Sequence, residues 1–508
     1  VAERAALIAV YDKEGAVELA RGLAALGFQI ISTGGTARTL RRARVRTAEV
    51  ATVTGFPEIL GGRVKTLHPK IFGGILARDT ASHRRQLKQR RIKAIDVVAV
   101  NLYPFEETVK KAGATEEEIV EQMDIGGVAL LRAAAKNFER VAVLSSPAQY
   151  GEALERLERG EDDVRWRREL ARAAFAATAR YDAAITNYFA GLKRGRKSFP
   201  DNLLLYYEGG TRTGYGENPH QRGAFYPGAG GGLKQLAGPP PSYNNFLDLA
   251  AAVGLAAEFK EPACVVVKHN SPCGAALGGT PAEAFRRAWV ADPLSAYGGI
   301  VAFNKAVDDE AAAAMMAKGV YFHICAAPSF KKGVVEYLRA AKSWTGRLRI
   351  FAGKFAQPMV EYRSILGGLL AQDADRRPAA RDRWEHVAGP AVDDATEEDL
   401  RFAWAVAKYA RSNAVVIAKD LVTLAIGAGS VNRLWPAEEA VRHAGEVKGA
   451  VAASDGFFPK PDTPETLCRA GVRAIVQPAG SKGDASVVEL ANEYGVALFF
   501  ADRRHFRH

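Results

Sequence analysis

The residues of this chain that could do chemistry sit directly behind short apolar runs. Lys268-His269-Asn270-Ser271-Pro272-Cys273-Gly274 follows the run Cys264–Val267. A histidine behind a strand can take a proton while a neighbouring ammonium stabilises developing negative charge. Read alone, the histidine is more simply a loop residue with no role. Cys273 lies beside it, but no histidine or cysteine stands at ligand spacing, so no metal is expected.

A second group lies nearer the N-terminus. Thr33-Gly34-Gly35-Thr36 follows one apolar run and precedes a helical one. Glycines there admit a ligand to the backbone, and hydroxyls with free helix N–H groups can hold a phosphate. A plain tight turn uses the same residues. Arg63-Val64-Lys65-Thr66-Leu67-His68-Pro69-Lys70 adds cations and a hydroxyl. Two such loops favour an anionic ligand over a merely solvated surface. Asn101-Leu102-Tyr103-Pro104-Phe105 follows a further strand, at the end where open α/β sheets place ligands. Asp124-Ile125-Gly126-Gly127 and Lys136-Asn137 bracket the helical run VALLRAAA. In isolation, Asp124 reads as a helix cap and Lys136 as a surface lysine. Gly427-Ala428-Gly429 and Gly480-Ser481 are weak turn or phosphate signals.

Alternating strands and helices must position these loops. Ala6–Val10, Phe28–Ser32, Val97–Val100 and Val141–Ser145 read as buried strands, with helical spacing over Gly15–Leu26. That alternation predicts a parallel sheet with helices on its faces. Trp166, Leu170, Ala174, Ala177, Tyr181, Ile185 and Tyr188 recur every three or four residues and predict one long amphipathic helix. A basic, glycine-punctuated stretch at 191–197 then reads as a linker. Gly209–Pro241 is rich in glycine and proline and predicts long loops. Ala263–Val267, Val415–Ala418, Ala474–Val476 and Ala497–Phe500 read as strands of further α/β structure. The sequence shows no short-period repeat and does not reveal whether this part holds two similar halves.

The chain's 508 residues exceed one usual core, so two or more domains are expected. Its 48% apolar and 25% charged content excludes a mainly disordered chain. No apolar run reaches the roughly 20 residues of a membrane span, and VAERAALIAVYDKEG lacks signal-peptide character. Four cysteines without a CxxC pair exclude a disulfide scaffold and fit a reducing cytoplasm. The net charge of +12 suits nucleic acid, an anionic surface, or phosphorylated and carboxylated small molecules. RRARVR at 41–46, RRQLKQRR at 84–91 and the stretch from Arg165 carry apolar residues at intervals. Solvated helix faces explain them at least as well as a nucleic-acid groove, which remains the minority reading.

TGGT, GRVKTLHPK, NLYPF, DIGG with LLRAAAKN, YGENPHQ, VVVKHNSPCG, SNAVVIAKD, SDGFFP and RHFRH follow one another in this order. The series resembles, over nearly the whole chain, the bifunctional purine-biosynthesis family. That family joins phosphoribosylaminoimidazolecarboxamide (AICAR) formyltransferase to inosine monophosphate (IMP) cyclohydrolase. The resemblance implies an α/β chain. A methylglyoxal-synthase-like parallel-sheet domain at 1–195 would close the ring, a linker would occupy 196–212, and a formyltransferase region would fill 213–508. That region would comprise two cytidine-deaminase-like α/β units, without their zinc. It also implies a cytoplasmic homodimer with formyltransferase sites between subunits, and 10-formyltetrahydrofolate as cosubstrate. AICAR, formyl-AICAR and IMP would be its small-molecule partners, with neither nucleic acid nor membrane.

Carried over by residue, Lys13, Thr33, Gly34, Gly35, Thr36, Arg63, Lys65, Thr66, Asn101, Tyr103 and Asp124 match the cyclohydrolase nucleotide site, with Lys136 as its proton-transfer lysine. Lys65, Tyr103 and Asp124 are expected to share in that chemistry. His269 matches the proton acceptor of formyl transfer and Lys268 the group that stabilises its transition state. Tyr215, Gly298, Asn413, Phe457 and Arg504 match AICAR-binding positions; Arg433, Asp462 and Ser481 match positions facing the folate. The chain departs from the family pattern in several places. Ala9 and Tyr11 replace serines, Phe72 a histidine, Gly214 an arginine and His323 an acidic residue. Arg212 is a possible substitute for the arginine missing at 214. The first rival is an enzyme that keeps only the cyclohydrolase; the second is a basic nucleic-acid-binding module.

Overall fold

A computed structural model describes residues 4–194, 199–228, 232–355 and 357–508. The linker expected at 196–212 and the glycine run at 228–232 lie partly outside these. The chain divides into two compact units, Val1–Tyr206 and Tyr207–His508.

In the first unit the apolar runs form β1 (Ala5–Ile8), β2 (Gln29–Ser32), β3 (Thr47–Glu49), β4 (Ile95–Ala99) and β5 (Ala142–Leu144). They make one sheet in the order β3-β2-β1-β4-β5, every neighbour parallel. Helices on both faces bury such strands on both sides, and all four β1 residues are fully buried. Strand order runs outward from β1 to β3, then restarts on the other side of β1 with β4. That reversal opens a crevice at the carboxyl ends of β1 and β4, where sheets of this kind hold ligands. The long helix, Val164–Arg194, buries Trp166, Leu170, Ala174 and Tyr181 along one stripe.

The second unit begins with a two-stranded ribbon, β6 (Thr211–Arg212) and β7 (Ala224–Phe225). A sheet half follows: β8 (Lys234–Ala237), β9 (Ala263–Lys268), β10 (Ser271–Leu277), β11 (Gly299–Phe303), β12 (Phe322–Ala327) and β13 (Arg349–Ala352). After a separate hairpin of β14 (Val360–Ile365) and β15 (Gly368–Asp373) comes the other half. It comprises β16 (Trp384–Ala388), β17 (Val415–Lys419), β18 (Val422–Gly427), β19 (Val451–Ser454), β20 (Ala474–Pro478) and β21 (Ala497–Ala501). The twelve strands lie in the order β16-β21-β20-β19-β17-β18-β10-β9-β11-β12-β13-β8. This is one six-strand pattern written twice and joined at β18 and β10. Each half has a hairpin, a strand antiparallel to it, two parallel neighbours and an antiparallel edge strand. Because β10 and β18 also pair antiparallel, one edge of the sheet collects a defined set of ends. These are the carboxyl ends of β9, β18, β19, β20 and β21 and the amino ends of β10–β13 and β17. Among the described residues no helix is long and apolar enough to cross a membrane.

A buried ionic cluster pins the last residues to the second half. His505 lies between two carboxylates, with Nδ1 against Asp375 and Nε2 against Asp382 at 2.7 Å. Trp404 Nε1 also donates to Asp382, at 3.0 Å. With a carboxylate at each ring nitrogen, both nitrogens donate and the ring is an imidazolium. Burial pulls the histidine pKa down, but the bonds to Asp375 and Asp382 outweigh it and leave it raised. Burial likewise pushes both carboxyls up, and contact with His505 leaves both below their usual range. The histidine's contribution to stability is therefore complete below about pH 6.5 and is lost as pH rises through its raised folded value. The carboxylates' contribution is complete above about pH 3.9 and is lost as pH falls through their lowered values. Thermal unfolding of the second unit is expected to move to lower temperature on the alkaline side, and His505→Gln should remove that slope. His505→Ala, which strips buried Asp382 of its main partner, is expected to cost about 3–5 kcal/mol, read by denaturant titration.

Candidate functional site

The crevice between β1 and β4 is a cavity of about 560 Å³. Lys13, Thr33, Gly35, Thr36, Arg63, Lys65, Thr66, Tyr103 and Asp124 line it, so loops distant in sequence meet at one place. The helix Gly34–Arg42 starts there, capped by no side chain, and its first-turn N–H groups face an open space. Thr36 is spent on structure: its hydroxyl donates to the Val10 carbonyl at 2.8 Å and clamps the turn after β1. Lys13 donates to the Val10 and Tyr11 carbonyls. Burial, followed by the charge of Lys65, holds its pKa below the ordinary value, with Asp12 opposing. Two ammonium groups brought together in a half-buried crevice create a demand for an anion.

Across the cavity the helix Gly126–Lys136 presents its N-terminus. Asp124 accepts the Gly127 N–H at 2.6 Å, so it does cap this helix, and it also lines the cavity. Burial pushes its pKa up against the opposing effects of the Gly127 N–H, Lys65 and the Tyr103 N–H. Its carboxyl therefore holds a proton at higher pH than an exposed aspartate. The Asp124 N–H donates to the Tyr181 hydroxyl at 2.8 Å, and that hydroxyl donates to the Gln122 carbonyl. Tyr181 thus fixes the loop from the long helix; its place in that helix's apolar stripe gives no hint of this in the sequence. Gly126 is required by close approach, since a Cβ there would stand 2.9 Å from the Thr66 hydroxyl.

Of the expected contacts, Asn101 and Lys136 do not line this cavity, and Arg63 lines it already paired. Asn101 uses its amide to tie two loops, accepting the Asp12 N–H at 3.0 Å and donating to the Asp12 carbonyl at 2.9 Å. It shapes the cavity without lining it. Arg63 is ion-paired with Glu121 at the rim. Lys136 lies exposed in the last turn of its helix, ten residues and about 15 Å of helical rise beyond Gly126. Lys13 and Lys65 are the lysines that line the cavity, and any proton transfer by Lys136 would have to be exerted from outside it.

In the second unit, Lys268 and His269 stand at the turn between β9 and β10, on the collecting edge. Both His269 and Asn270 are left-handed, with φ of 55° and 59°, a strained arrangement for residues with side chains. The turn exposes His269 and leaves Lys268 half-buried. Lys268 Nζ donates to the Tyr297 carbonyl at 3.0 Å, immediately before Gly298. A Cβ on Gly298 would meet the rings of His323 and Tyr321 at 3.7 and 3.8 Å. Burial, then the charges of Arg349 and Lys268, push the His323 pKa down. It stays neutral in the physiological range, with Nε2 3.0 Å from the Tyr321 hydroxyl. Arg349 lies near Tyr215 and Tyr321, so a cation reaches this flank despite the glycine at 214. Tyr297, Tyr321 and Arg349 were not foreseen, since each reads as an ordinary strand-edge residue.

The rest of the edge belongs to the second half. Asn413 donates to the Ser430 carbonyl at 2.8 Å. Arg507 reaches Asn270 at 3.3 Å and takes the Ser412 hydroxyl on its backbone N–H at 3.0 Å, so the chain end is tied to the His269 turn. Arg504 lies over the Phe506 ring at 4.2 Å. Arg433 is buried, paired with Asp455 and bonded to Ser454 at 2.9 Å. Nη1 of its guanidinium is committed to that loop. Phe457 and Asp462 follow β19, and Ser481 follows β20, where its hydroxyl accepts the Gly483 N–H at 3.0 Å. Six strand spacings of about 4.8 Å, or about 29 Å, separate β20 from β11. One chain therefore aligns Ser481 and Gly298 along the same edge without bringing them together.

Residues 134–443 match the family described as AICARFT/IMPCHase bienzyme, and residues 15–129 match the MGS-like domain. A Desulfitobacterium hafniense protein named "Bifunctional purine biosynthesis protein PurH" is 45% identical, with 99% of this chain and 100% of that protein covered. Relatives of the same name from Acidithiobacillus ferrooxidans and Rhodopirellula baltica are 46% and 43% identical, each with 99% of both chains covered. Among solved structures, one titled "Crystal structure of ForH" is 40% identical, with 37% of this chain and 96% of its own covered, at a TM-score of 0.34. A bienzyme match across most of the chain, and relatives that align from end to end, lead to one conclusion: the chain belongs to the AICARFT/IMPCHase bienzymes, the bifunctional enzymes of purine biosynthesis that join an AICAR transformylase to an IMP cyclohydrolase.

Proposed function

We propose that the first unit closes the inosinate ring and the second supplies the formyl group that ring closure consumes. The observation that carries the first half is the β1/β4 cavity, where two helix N-termini and Lys13 and Lys65 surround one space with Asp124. Formyl-AICAR would set its phosphate at the helix Gly34–Arg42, beside Lys13. Its reacting end would lie toward Lys65, Thr66, Tyr103 and Asp124. The carboxamide nitrogen attacks the formyl carbon, the carbonyl oxygen takes up a proton, and the ring gains its double bond as water leaves. Lys65 and the N–H groups of Gly126–Lys136 stabilise the oxyanion. Asp124 and Tyr103 shuttle the protons, and the raised pKa of Asp124 makes it a better proton carrier than an exposed aspartate.

In the second unit, His269 takes the proton of the 5-amino group as that nitrogen attacks the formyl carbon of 10-formyltetrahydrofolate. Lys268 stabilises the oxyanion, and collapse expels tetrahydrofolate. The amino lone pair is delocalised into ring and carboxamide, so attack needs simultaneous deprotonation. Tyr215, Gly298, Asn413, Phe457 and Arg504 would hold AICAR, with Asp462 and Ser481 toward the folate. Because about 29 Å separates β20 from β11 along the edge, we propose that the site is completed across a homodimer, one copy offering the Gly298 flank and the other the Ser481 flank. Four unpaired thiols suit a reducing cytoplasm, where we place the enzyme.

An assay with AICAR and 10-formyltetrahydrofolate, following both formyl-AICAR and IMP, tests this reading. His269→Ala is expected to lower formyl transfer about 10²–10⁴-fold and spare cyclisation. Lys65→Ala should do the reverse and accumulate formyl-AICAR. Unchanged transfer by the histidine variant removes His269 from the chemistry. Residues 1–206, with their own core, are expected to convert formyl-AICAR to IMP alone; a soluble but inert fragment counts against assigning ring closure to that unit.

A further inference from the structure

Between Tyr243 and Gly298 the first half of the second unit is matched in the other half at an offset of 151 residues. Helices begin at Tyr243 and Asp394, and each carries an Asp-Leu pair, Asp248-Leu249 and Asp399-Leu400. Twenty-one residues after the aspartate come His269 in one half and Asp420 in the other. Both fall in a tight hairpin turn whose two central residues are left-handed: His269 and Asn270, then Asp420 and Leu421 with φ of 54° and 58°. In both halves the helix aspartate caps the turn. Asp399 accepts the N–H groups of Asp420 and Leu421 at 2.9 and 2.6 Å. Asp248 accepts the Asn270 N–H at 2.6 Å and draws on that of His269. The preceding lysines repeat too: Lys268 donates to the Tyr297 carbonyl at 3.0 Å and Lys419 to the Lys448 carbonyl at 3.2 Å, each just before a left-handed glycine, Gly298 or Gly449.

We propose that Asp248 is the positioning residue for His269: it holds the two backbone N–H groups of the strained turn and so fixes where the imidazole projects. The comparison between halves separates the scaffold from the chemistry. Aspartate, left-handed pair, lysine and glycine occur in both, whereas only the first copy places a histidine on the turn. Strand polarity puts the second copy at the opposite edge of the sheet, away from Asn413, Phe457 and Arg504. Without a carboxylate the turn loses the acceptor for both N–H groups, and the two φ-positive residues are left with the Arg507 contact to the Asn270 side chain, which does not hold the backbone. A displacement of about 1 Å at a catalytic group can cost 100-fold in rate.

The inference rests on the assignment of His269 to formyl transfer, and a matched set of variants of the full chain separates the two. Asp248→Ala is expected to lower kcat for formyl transfer 10- to 100-fold, with KM for AICAR changed less than about threefold and IMP cyclisation unaltered. Asp248→Asn, which keeps one acceptor oxygen, should fall between it and wild type and serves where the alanine variant folds poorly. Asp399→Ala and Asp399→Asn remove the same cap from the other turn. They should cost similar thermal stability and leave formyl transfer within about threefold of wild type. In a His269→Ala background, Asp248→Ala should lower transfer no further, as expected of residues acting through one group. Equal losses from the Asp248 and Asp399 variants, or losses that multiply with His269→Ala, overturn the positioning role and leave the histidine in place. Normal transfer by His269→Ala alone overturns the assignment beneath it, and the inference with it.

Discussion

The pairing of β10 with β18 is the contact on which the larger unit depends. Each six-strand half ends in a hairpin strand whose outer edge would otherwise expose unpaired N–H and C=O groups. Only Ala276 and Val422 are in ladder register there. Side chains complete the seam: the Thr423 hydroxyl exchanges hydrogen bonds with both backbone groups of Ala275, and Arg287 bonds the carbonyls of Leu277 and Asp420. The seam is antiparallel, so it also sets the direction of every strand beyond it. Amino ends of the first half and carboxyl ends of the second face the same way, and Lys268, His269, Gly298, Asn413 and Phe457 stand on that edge because of it.

The smaller unit solves a different problem. It holds cations close together without covering them with acids, so the electrostatic cost is left for a ligand to relieve. Lys13 feels Lys65, and Arg63 is balanced only at the rim by Glu121. Of the two carboxyls that line the cavity, Glu121 is taken up by Arg63 and Asp124 is itself shifted toward its protonated form. A cavity kept short of negative charge, between two helix N-termini, is preorganised for a phosphate and a developing oxyanion. The tyrosine that fixes Asp124 comes from a helix 57 residues further along the chain.

Much of this was legible in the sequence where a signal is local. Strands β1, β2, β4 and β5 appear as apolar runs within two residues of their ends, and the stripe from Trp166 marks the long helix. The loops that build the β1/β4 cavity stand out as TGGT, RVKT, NLY and DIGG. Illegible were the choices a side chain makes between ligand and scaffold. Asn101 and Arg433 have the right chemistry for a ligand yet spend it on Asp12 and Asp455. Lys136 shares a helix with Gly126 but stands at its other end. The doubling of the second unit escaped notice because it rests on isolated residues at a 151-residue offset, and strand polarity, which tells one copy from the other, has no local signature.

That antiparallel seam also bears on how such a chain can diverge. A parallel join would have set the two copies of the lysine turn side by side, exposed to the same molecule and to the same selection. An antiparallel join sends them to opposite rims, so the two copies cannot face the same molecule. At the other rim the capping aspartate is kept, whereas the position that bears histidine in the first copy bears Asp420. Half of a doubled domain is thereby released to become structural support, and a second active centre is recruited more readily from another copy of the chain than from within one.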